Sequence, residues 1–225
     1  HGQRDLVAAL LEQITALRDP SLVLVVVVHN LPDVDLPKPQ GALFNLVQLH
    51  NTKPLGFAAN HNLAFGYCKT PWFAVLNPDI EFPFGNPFPA LLEAMIDDDR
   101  LGAVAPALVQ PGTLHIESNR GVVTPIELIR RRLPGYVPPA EPSWLVGAFL
   151  LVRSNAFCAV GGFDNRFNLY CEDVDFGLRI RARGWKIRRL DALQVVHLTQ
   201  RWSHKSFRYT LTHIFSLMRL WSKIL

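Results

Sequence analysis

Polar residues follow one strongly apolar segment of this chain, and their types suit metal chemistry. Asn77-Pro78-Asp79 comes directly after a predicted strand that ends at Leu76. A carboxylate at the carboxyl end of a strand is well placed to hold Mg²⁺ or Mn²⁺ against a diphosphate, because these hard cations prefer oxygen ligands and leave positions open for phosphate. The alternative is an ordinary turn, since Asn-Pro-Asp is also good turn chemistry.

A second group of acids begins a predicted helix: Glu172, Asp173 and Asp175. Only one of them can easily act as a general base, because neighbouring side chains on a helix point in different directions. Acids in a first helical turn also complement the helix dipole, which is the structural alternative. His197 ends a predicted strand and is a candidate metal ligand, although a single histidine at a strand end is more often structural.

The elements that must position these residues follow an alternating pattern. A β-branched run over 22–28, typical of a strand buried on both faces, lies between a helix predicted at 5–18 and a strand predicted at 42–49. This alternation predicts an α/β fold whose strand ends build a site at one sheet edge. The remaining predicted helices cover 56–67, 89–96, 172–183 and 206–225, with two short ones around 126–132 and from Ser154 to the turn at 161–162. The remaining predicted strands cover 72–76, 102–109, 144–152, 186–189 and 193–196.

Composition narrows the possible classes. The chain has 225 residues, of which 49% are hydrophobic and 19% charged, so it suits one domain with a substantial core. Its longest aliphatic run has seven residues, too few to span a bilayer. Three cysteines without metal-ligand spacing argue against a disulfide framework and a zinc site, and favour a reducing cytoplasm. The chain contains no phosphate-binding P-loop, dinucleotide fingerprint or serine nucleophile elbow.

Charge is divided unevenly along the chain. From Phe176 onward there are eleven Lys and Arg against one acid, whereas the preceding part has twelve basic and eighteen acidic residues. An acidic body with a basic flank could meet phosphates, anionic lipid or nucleic acid; a solvated basic face is the alternative. No nucleic-acid partner is expected, because the flank contains no recognised nucleic-acid-binding module.

Seven short motifs, in this order and at these spacings, resemble glycosyltransferase family 2, and most closely the bacterial rhamnosyltransferases of O-antigen and related cell-surface polysaccharides. The likeness covers nearly the whole chain. The motifs are Leu55-Gly56-Phe57-Ala58 with Asn62, Leu76-Asn77-Pro78-Asp79, the stretch 147–153, Gly161-Gly162-Phe163-Asp164, the stretch 170–175, Gly184-Trp185 and Val196-His197.

The resemblance implies a GT-A fold, a Rossmann-like architecture with one central mixed, mainly parallel sheet flanked by helices. It also implies an inverting transferase that uses a nucleotide-diphosphate sugar and Mg²⁺ or Mn²⁺. Asp79 matches the metal ligand of the family's D-x-D motif, in which Asn77 replaces the first Asp. Asp173 matches the catalytic base, and His197 matches a further metal ligand. An oxocarbenium-like transition state is expected.

Further site residues follow from the same resemblance. On the donor side we expect His29, Asn30, Asp33, Asn51, Gly56, Asn62, Asn77 and Asp79, and on the acceptor side Trp144, Gly147 and Glu172. His29 departs from the Asp that the family usually has near the nucleotide base, so Asp33 is the candidate substitute. Gln200-Arg201-Trp202 lacks the Q-x-x-R-W spacing of processive synthases, so addition of a single sugar is expected.

The expected organisation is a GT-A domain over 1–205 and a basic amphipathic helix over 206–225. The family's first strand would precede residue 1. We expect a cytoplasmic protein that transfers rhamnose from dTDP-rhamnose to a glycan or lipid-diphosphate-linked acceptor. The C-terminal helix would contact the inner face of the membrane, or pack on the domain or on a second subunit of a homodimer. The alternatives are a UDP-sugar donor and an inactive nucleotide-binding or scaffolding module.

Overall fold

The computed structural model describes residues 2–112, 115–198 and 207–224. Helices and strands alternate through the first half, and the second half is mixed. The helices are α1 (Arg4–Ala16), α2 (Phe57–Phe65), α3 (Phe88–Asp97), α4 (Pro125–Arg130), α5 (Ser154–Ala159), α6 (Glu172–Ala182) and α7 (Phe207–Ile224). The strands are β1 (Leu24–His29), β2 (Asn45–His50), β3 (Trp72–Leu76), β4 (Ile80–Glu81), β5 (Leu101–Val109), β6 (Phe149–Arg153) and β7 (Lys186–His197).

The described strands form two sheets rather than the single sheet that was expected. β1 and β2 pair in parallel, and the other five lie in the order β3-β6-β5-β7-β4. The two parallel pairings, β1 with β2 and β5 with β7, are also the longest, with six and eight residue pairs. The remaining pairings are antiparallel. The mixed, parallel-rich α/β architecture is therefore confirmed.

A cavity of about 1460 Å³ separates the two sheets. β1 lines one side, β3 the other, and the apolar face of α1 contributes Leu10, Leu11 and Ile14. Within the described part of the chain, β1 pairs only with β2, and β3 only with β6. Both strands thus present a backbone edge beside the cavity.

β7 was predicted as two short strands and is one strand with an irregularity. Its register against β5 shifts after Pro106, so that Leu190 pairs with Pro106 but Gln194 pairs with Ala107. Proline has no N–H for the ladder, and this explains why the regular pairing is interrupted there. Because the strand continues past the shift, His197 pairs with Ile80 and comes to lie beside the turn before β4.

α7 packs on the domain through a different face from the one its apolar pattern suggested. Leu220 is fully buried in a cluster with Trp144 and Phe167. Of the stripe that the sequence predicts, Leu211, Ile214, Phe215 and Met218 are exposed. Trp221, which also belongs to it, is half-buried and donates its indole N–H to the Val123 carbonyl over 2.8 Å. The Gln200-Arg201-Trp202 stretch lies outside the described residues. None of the described helices combines the length and apolar character needed to cross a bilayer.

Candidate active site

The turn after β3 and the end of β7 bring Asp79 and His197 together. Asp79 Oδ1 lies 3.4 Å from His197 Nε2, and both side chains are almost completely buried. The backbone holds this geometry, because the Leu198 N–H donates to the Asp79 carbonyl over 2.9 Å. Asp79 Oδ1 has no hydrogen-bond partner among the described residues. A buried carboxylate oxygen left unpaired beside an imidazole is costly by itself and fits a cation ligand.

The second carboxylate of the site is Asp173, in the first turn of α6. Its Oδ2 accepts from the Gly147 N–H over 3.0 Å, and its Oδ1 accepts from the Val174 N–H over 2.8 Å. The residue after Gly147, Ala148, accepts from the Asn77 N–H over 2.8 Å. The segment 147–148 therefore connects Asp173 to the turn that carries Asp79.

Burial controls the ionisation of the two neighbouring acids. It raises the pKa of Asp173 above its ordinary value, and this effect is opposed by the N–H groups of Gly147 and Val174 and by the charge of Arg120. Burial, and then the charge of Asp173, raises the pKa of Glu172 to about 8. Glu172 is thus mostly protonated at pH 7. One negative charge, on Asp173, is the favoured state of this pair.

The backbone before these acids is strained. Tyr170 and Cys171 have φ values of 71° and 66°, in the left-handed region that non-glycine residues rarely adopt. Cys171 is the N-cap residue of α6, so its conformation sets where the helix starts and where Glu172 and Asp173 lie. Such strain persists only where the surrounding structure enforces it, and it is concentrated at functional sites. Burial raises the pKa of the Cys171 thiol to about 12, so this cysteine is not a nucleophile.

The polar end of the cavity gathers several of the predicted donor-side residues. His29, Asn30, Asp33, Asn77 and Asp79 all line it, as does His197. A polar rim with two candidate metal ligands next to an apolar interior is the usual composition of a small-molecule site.

Two other predicted donor-side residues shape the loop that enters α2. Asn51 Nδ2 donates to Asn30 Oδ1 over 2.9 Å, and Asn30 Oδ1 also accepts from the Leu55 N–H over 2.7 Å. At Gly56 a Cβ atom would lie 2.5 Å from the Asn168 carbonyl oxygen, so only glycine fits. These residues position the loop beside the cavity.

Asn62, also predicted to bind the donor, is hydrogen-bonded to the loop that follows α5. Its Nδ2 donates to the Phe163 carbonyl over 2.8 Å, and its Oδ1 accepts from the Phe163 N–H over 2.9 Å. The same Asn62 Nδ2 also donates to Asn165 Oδ1 over 2.6 Å. Asn62 is not among the residues that line the cavity. Its amide is used to hold the loop after the Gly161-Gly162 turn.

The predicted acceptor-side residues also differ in role from one another. Trp144 is buried, and its indole N–H donates to the Gly121 carbonyl over 3.0 Å. Gly147 holds Asp173, and Glu172 is the buried neutral acid described above.

Sequence reasoning missed two residues near the site. The charge of Arg120 favours ionised Asp173, and its guanidinium lies 5.4 Å from the Trp144 ring centroid. His61 lines the cavity, packs against Phe57, and has its pKa lowered to about 4 by burial, so it is neutral. Arg120 lies in an irregular Pro- and Gly-rich segment, and His61 lies mid-helix between Asn60 and Asn62 without matching a catalytic motif.

Comparison with known proteins identifies similar sequences and folds. The chain is 34% identical over 146 residues to an N-acetylglucosaminyl-diphospho-decaprenol L-rhamnosyltransferase of Mycobacterium tuberculosis, a match that covers 56% of this chain and 46% of that protein. The chain thus spans about half the length of the curated rhamnosyltransferase it matches. No family model matches the chain.

Solved structures show the fold. One is a mannosyltransferase from Pyrobaculum calidifontis in complex with GDP-Man and Mn²⁺. The superposition covers 96% of this chain and 60% of the mannosyltransferase chain, with a TM-score of 0.65 and 16% sequence identity. Another is GalNAc-T7 with UDP, GalNAc and Mn²⁺. The superposition covers 87% of this chain and 40% of the GalNAc-T7 chain, with a TM-score of 0.61 and 14% sequence identity. The GT-A fold and the resemblance to rhamnosyltransferases are therefore confirmed.

Proposed function

We propose that this chain is an inverting, metal-dependent glycosyltransferase that moves one rhamnose from dTDP-rhamnose to a lipid-diphosphate-linked glycan. The observation that carries this proposal is the pair of buried carboxylates. Asp79 has an oxygen without a partner beside His197, and Asp173 is held by the Gly147 N–H on the segment that contacts the Asp79 turn. The sequence similarity to an L-rhamnosyltransferase supports the choice of sugar.

Asp79 and His197 would hold Mg²⁺ or Mn²⁺. The pair offers a carboxylate oxygen and an imidazole nitrogen on one side of the cavity, with room for phosphate oxygens on the other. When bound, such a cation neutralises the charge of the donor's diphosphate and makes it a better leaving group. Mn²⁺ in both structural neighbours supports this choice of cofactor.

Asp173 would act as the general base. Its carboxylate takes the proton of the acceptor hydroxyl as the hydroxyl oxygen forms a bond to the anomeric carbon from the opposite face. The bond from that carbon to the diphosphate breaks, and the nucleotide leaves as the diphosphate without a proton. A raised pKa brings the base closer to neutral pH, where its protonation and proton transfer are best balanced. Glu172, which stays protonated, does not compete for the proton.

The nucleotide would bind at the polar end of the cavity, which is lined by Asn30, Asp33 and Asn77. A UDP-sugar is the alternative donor, and the UDP in the GalNAc-T7 structure is compatible with it. An inactive nucleotide-binding module is the second candidate function. The observation that favours it is His29, which replaces the expected Asp and is engaged with Gln48 and His50.

The outer face of α7 would make the peripheral membrane contact. Leu211, Ile214, Phe215 and Met218 are between 38% and 67% exposed, and Arg219 is exposed beside them. This arrangement suits anionic lipid, where diphosphate-linked acceptors would be found. Co-sedimentation with anionic vesicles tests it, because a Phe215→Ser and Met218→Ser double variant should stay in the supernatant. Concentration-dependent light scattering would instead identify a homodimer.

The cavity between the sheets would accept one more strand. The β1 and β3 edges both line it, and its apolar walls match a strand buried on both faces. Such a strand, placed before α1, would form a strand–helix–strand unit with β1 and join the two sheets. In this organisation 1–205 completes the GT-A domain, and 206–225 is a helix docked on it.

A direct transfer assay tests the proposed function. The chain is incubated with dTDP-rhamnose, Mn²⁺ and a short-chain N-acetylglucosaminyl-diphospho-polyprenol, and mass spectrometry follows addition of one deoxyhexose. We expect a single addition with inverted anomeric configuration. Transfer from UDP-hexoses but not from dTDP-rhamnose would keep the mechanism and change the donor. Hydrolysis or binding without transfer from any donor would favour the inactive module.

A further inference from the structure

A second group of potential metal ligands lies at the ends of β1 and β2. His29 and His50 are register partners at the last position of each strand, and Asp35 lies in the loop between them. One ligand atom from each of the three residues lies within 4.8 Å of the other two. His50 Nε2 is 2.7 Å from Asp35 Oδ1. The two imidazole rings stack with centroids 4.5 Å apart and planes 3° apart, so the exposed His50 ring would have to turn for both histidines to direct a nitrogen lone pair at one ion.

Gln48 fixes which nitrogen of His29 is free. Its amide is oriented by the backbone of Leu36, whose N–H donates to Oε1 over 2.7 Å and whose carbonyl accepts from Nε2 over 2.9 Å. Gln48 Oε1 therefore faces His29 Nε2 at 2.9 Å and accepts its proton. By this hydrogen-bond network, His29 Nδ1 carries the lone pair. A carboxylate oxygen of Asp33 lies 4.0 Å from that nitrogen.

This arrangement is the support that a metal-binding histidine usually receives. A ligating imidazole donates its other ring N–H to an oxygen acceptor, which fixes its tautomer and orientation. His29 is also buried, so its ring is held in place before any ion arrives.

We propose that His29, Asp35 and His50 form a site for a Zn²⁺-class cation, distinct from the Asp79 and His197 pair. Two imidazole nitrogens and one carboxylate suit Zn²⁺ or Co²⁺, whereas Mg²⁺ prefers a set made of oxygens. Asp33, with a carboxylate oxygen 4.0 Å from His29 Nδ1, would be an additional ligand.

The cation would crosslink the ends of β1 and β2 to the loop that carries Asp33 and Asp35. These strands form a two-stranded sheet in the described chain, and such sheets are only marginally stable alone. This crosslink would order the loop that borders the polar end of the cavity. In this arrangement His29 serves as a metal ligand.

Metal titration of the intact chain tests the proposal. Zn²⁺ binding is measured by calorimetry, and Co²⁺ is used as an optical probe, since bound Co²⁺ gives visible ligand-field bands. We expect one Zn²⁺ per chain bound at this site. His50→Ala and Asp35→Asn change exposed side chains, and each should weaken Zn²⁺ binding at least about 10–100-fold. Gln48→Met should weaken it by a similar factor through its effect on His29.

Two control variants make the result specific. His115→Ala removes an exposed histidine elsewhere and should leave Zn²⁺ affinity unchanged. Asp79→Ala should leave one Zn²⁺ bound per chain while removing the Mn²⁺-dependent nucleotide response. Zn²⁺ binding that survives both His50→Ala and Asp35→Asn, or that disappears only with Asp79→Ala, would overturn the proposal. Failure of sugar transfer would leave it standing, because the binding readout does not depend on catalysis.

Discussion

Two adjacent acids with different ionisation are the central feature at the scale of residues. Glu172 and Asp173 are both buried, and burial of two like charges side by side is unfavourable, so one of them keeps its proton. Asp173 has two backbone N–H donors, whereas Glu172 Oε2 has no partner in the described structure. The hydrogen bonds therefore assign the negative charge to Asp173.

Replacing Asp173 with Asn should stop transfer without stopping donor binding. The amide keeps the shape but cannot accept the acceptor proton, and removal of a general base costs about 10²–10⁴ in rate. Asp191→Asn is a matched control, because this acid is exposed on β7 away from the cavity. Transfer rates and nucleotide-induced thermal shifts are measured for both. Loss of the thermal shift in Asp173→Asn would mean that the residue holds metal or fold.

Replacing Glu172 with Gln should stabilise the protein at alkaline pH. The pKa of Glu172 is raised from 4.5 to about 8 on folding, so the favourable contribution of its protonated form is complete below pH 4.5 and is lost as pH rises through 8. Glutamine is neutral throughout. The melting temperature of the variant should therefore rise relative to the original between pH 5 and 9, by about 2–4 °C for each kcal/mol. A difference independent of pH would contradict this.

At the scale of elements, the segment before β6 positions the base. A Cβ atom at Gly147 would lie 3.3 Å from the Asp173 Cβ and 3.4 Å from Phe57 Cζ. Gly147→Ala should push Asp173 from its position and lower kcat about 10–100-fold, while Mn²⁺-dependent nucleotide binding remains. Gly66→Ala, where the nearest atom is the Leu63 carbonyl oxygen at 3.2 Å, is the control. Equal kcat values for the two variants would contradict the positioning role.

α7 contributes to stability through its inner face. Leu220 is fully buried, and Lys223 reaches the carboxylates of Asp164 and Asp175. Leu220→Ala should lower the free energy of unfolding by about 2–5 kcal/mol, as expected for a truncated core leucine. Met218→Ala, at a side chain 57% exposed, should change it by less than about 0.5 kcal/mol. Urea denaturation compares them, and similar losses would mean that the outer face is covered.

The sequence predicted most elements but not which face of each is used. Alternation of apolar runs located β1, β3 and β5 within a few residues. The sequence predicts the apolar stripe of α7, but most of this stripe is exposed and the helix packs through Leu217 and Leu220, because periodicity cannot distinguish a face that packs from a face that binds. Likewise the apolar run from Trp144 predicted an early start for β6, whereas its first residues pack around Asp173.

The predicted site residues divide along similar lines. Asp79 and His197 were predicted from separate motifs, and the register of β4 against β7 places them together. Asn62 was also carried over from a motif, but its amide is used by Phe163. A motif identifies residue types in order along the chain. Whether a polar side chain faces the cavity or a loop depends on tertiary contacts that a single sequence does not encode locally.

At the scale of the whole molecule, one cavity connects the functions proposed here. Asp79 and His197 lie at its polar end, next to His29 and the loop that follows β1. Its apolar part separates the two sheets. Asp173 in α6 is bound by the Gly147 N–H and is not among the residues that line this cavity. The proposed donor and cation sites lie where the ends of β1, β3 and β7 converge.

Thermal stabilisation by nucleotides, with and without Mn²⁺, tests this account most directly. The chain and its Asp79→Ala variant are melted with dTDP, UDP, GDP and ADP. A ligand at 100 times its Kd adds about 2.7 kcal/mol, and each kcal/mol raises the melting temperature by about 2–4 °C. The account predicts a Mn²⁺-dependent rise with dTDP that Asp79→Ala abolishes. No rise with any nucleotide, or the same rise in the variant, would contradict it.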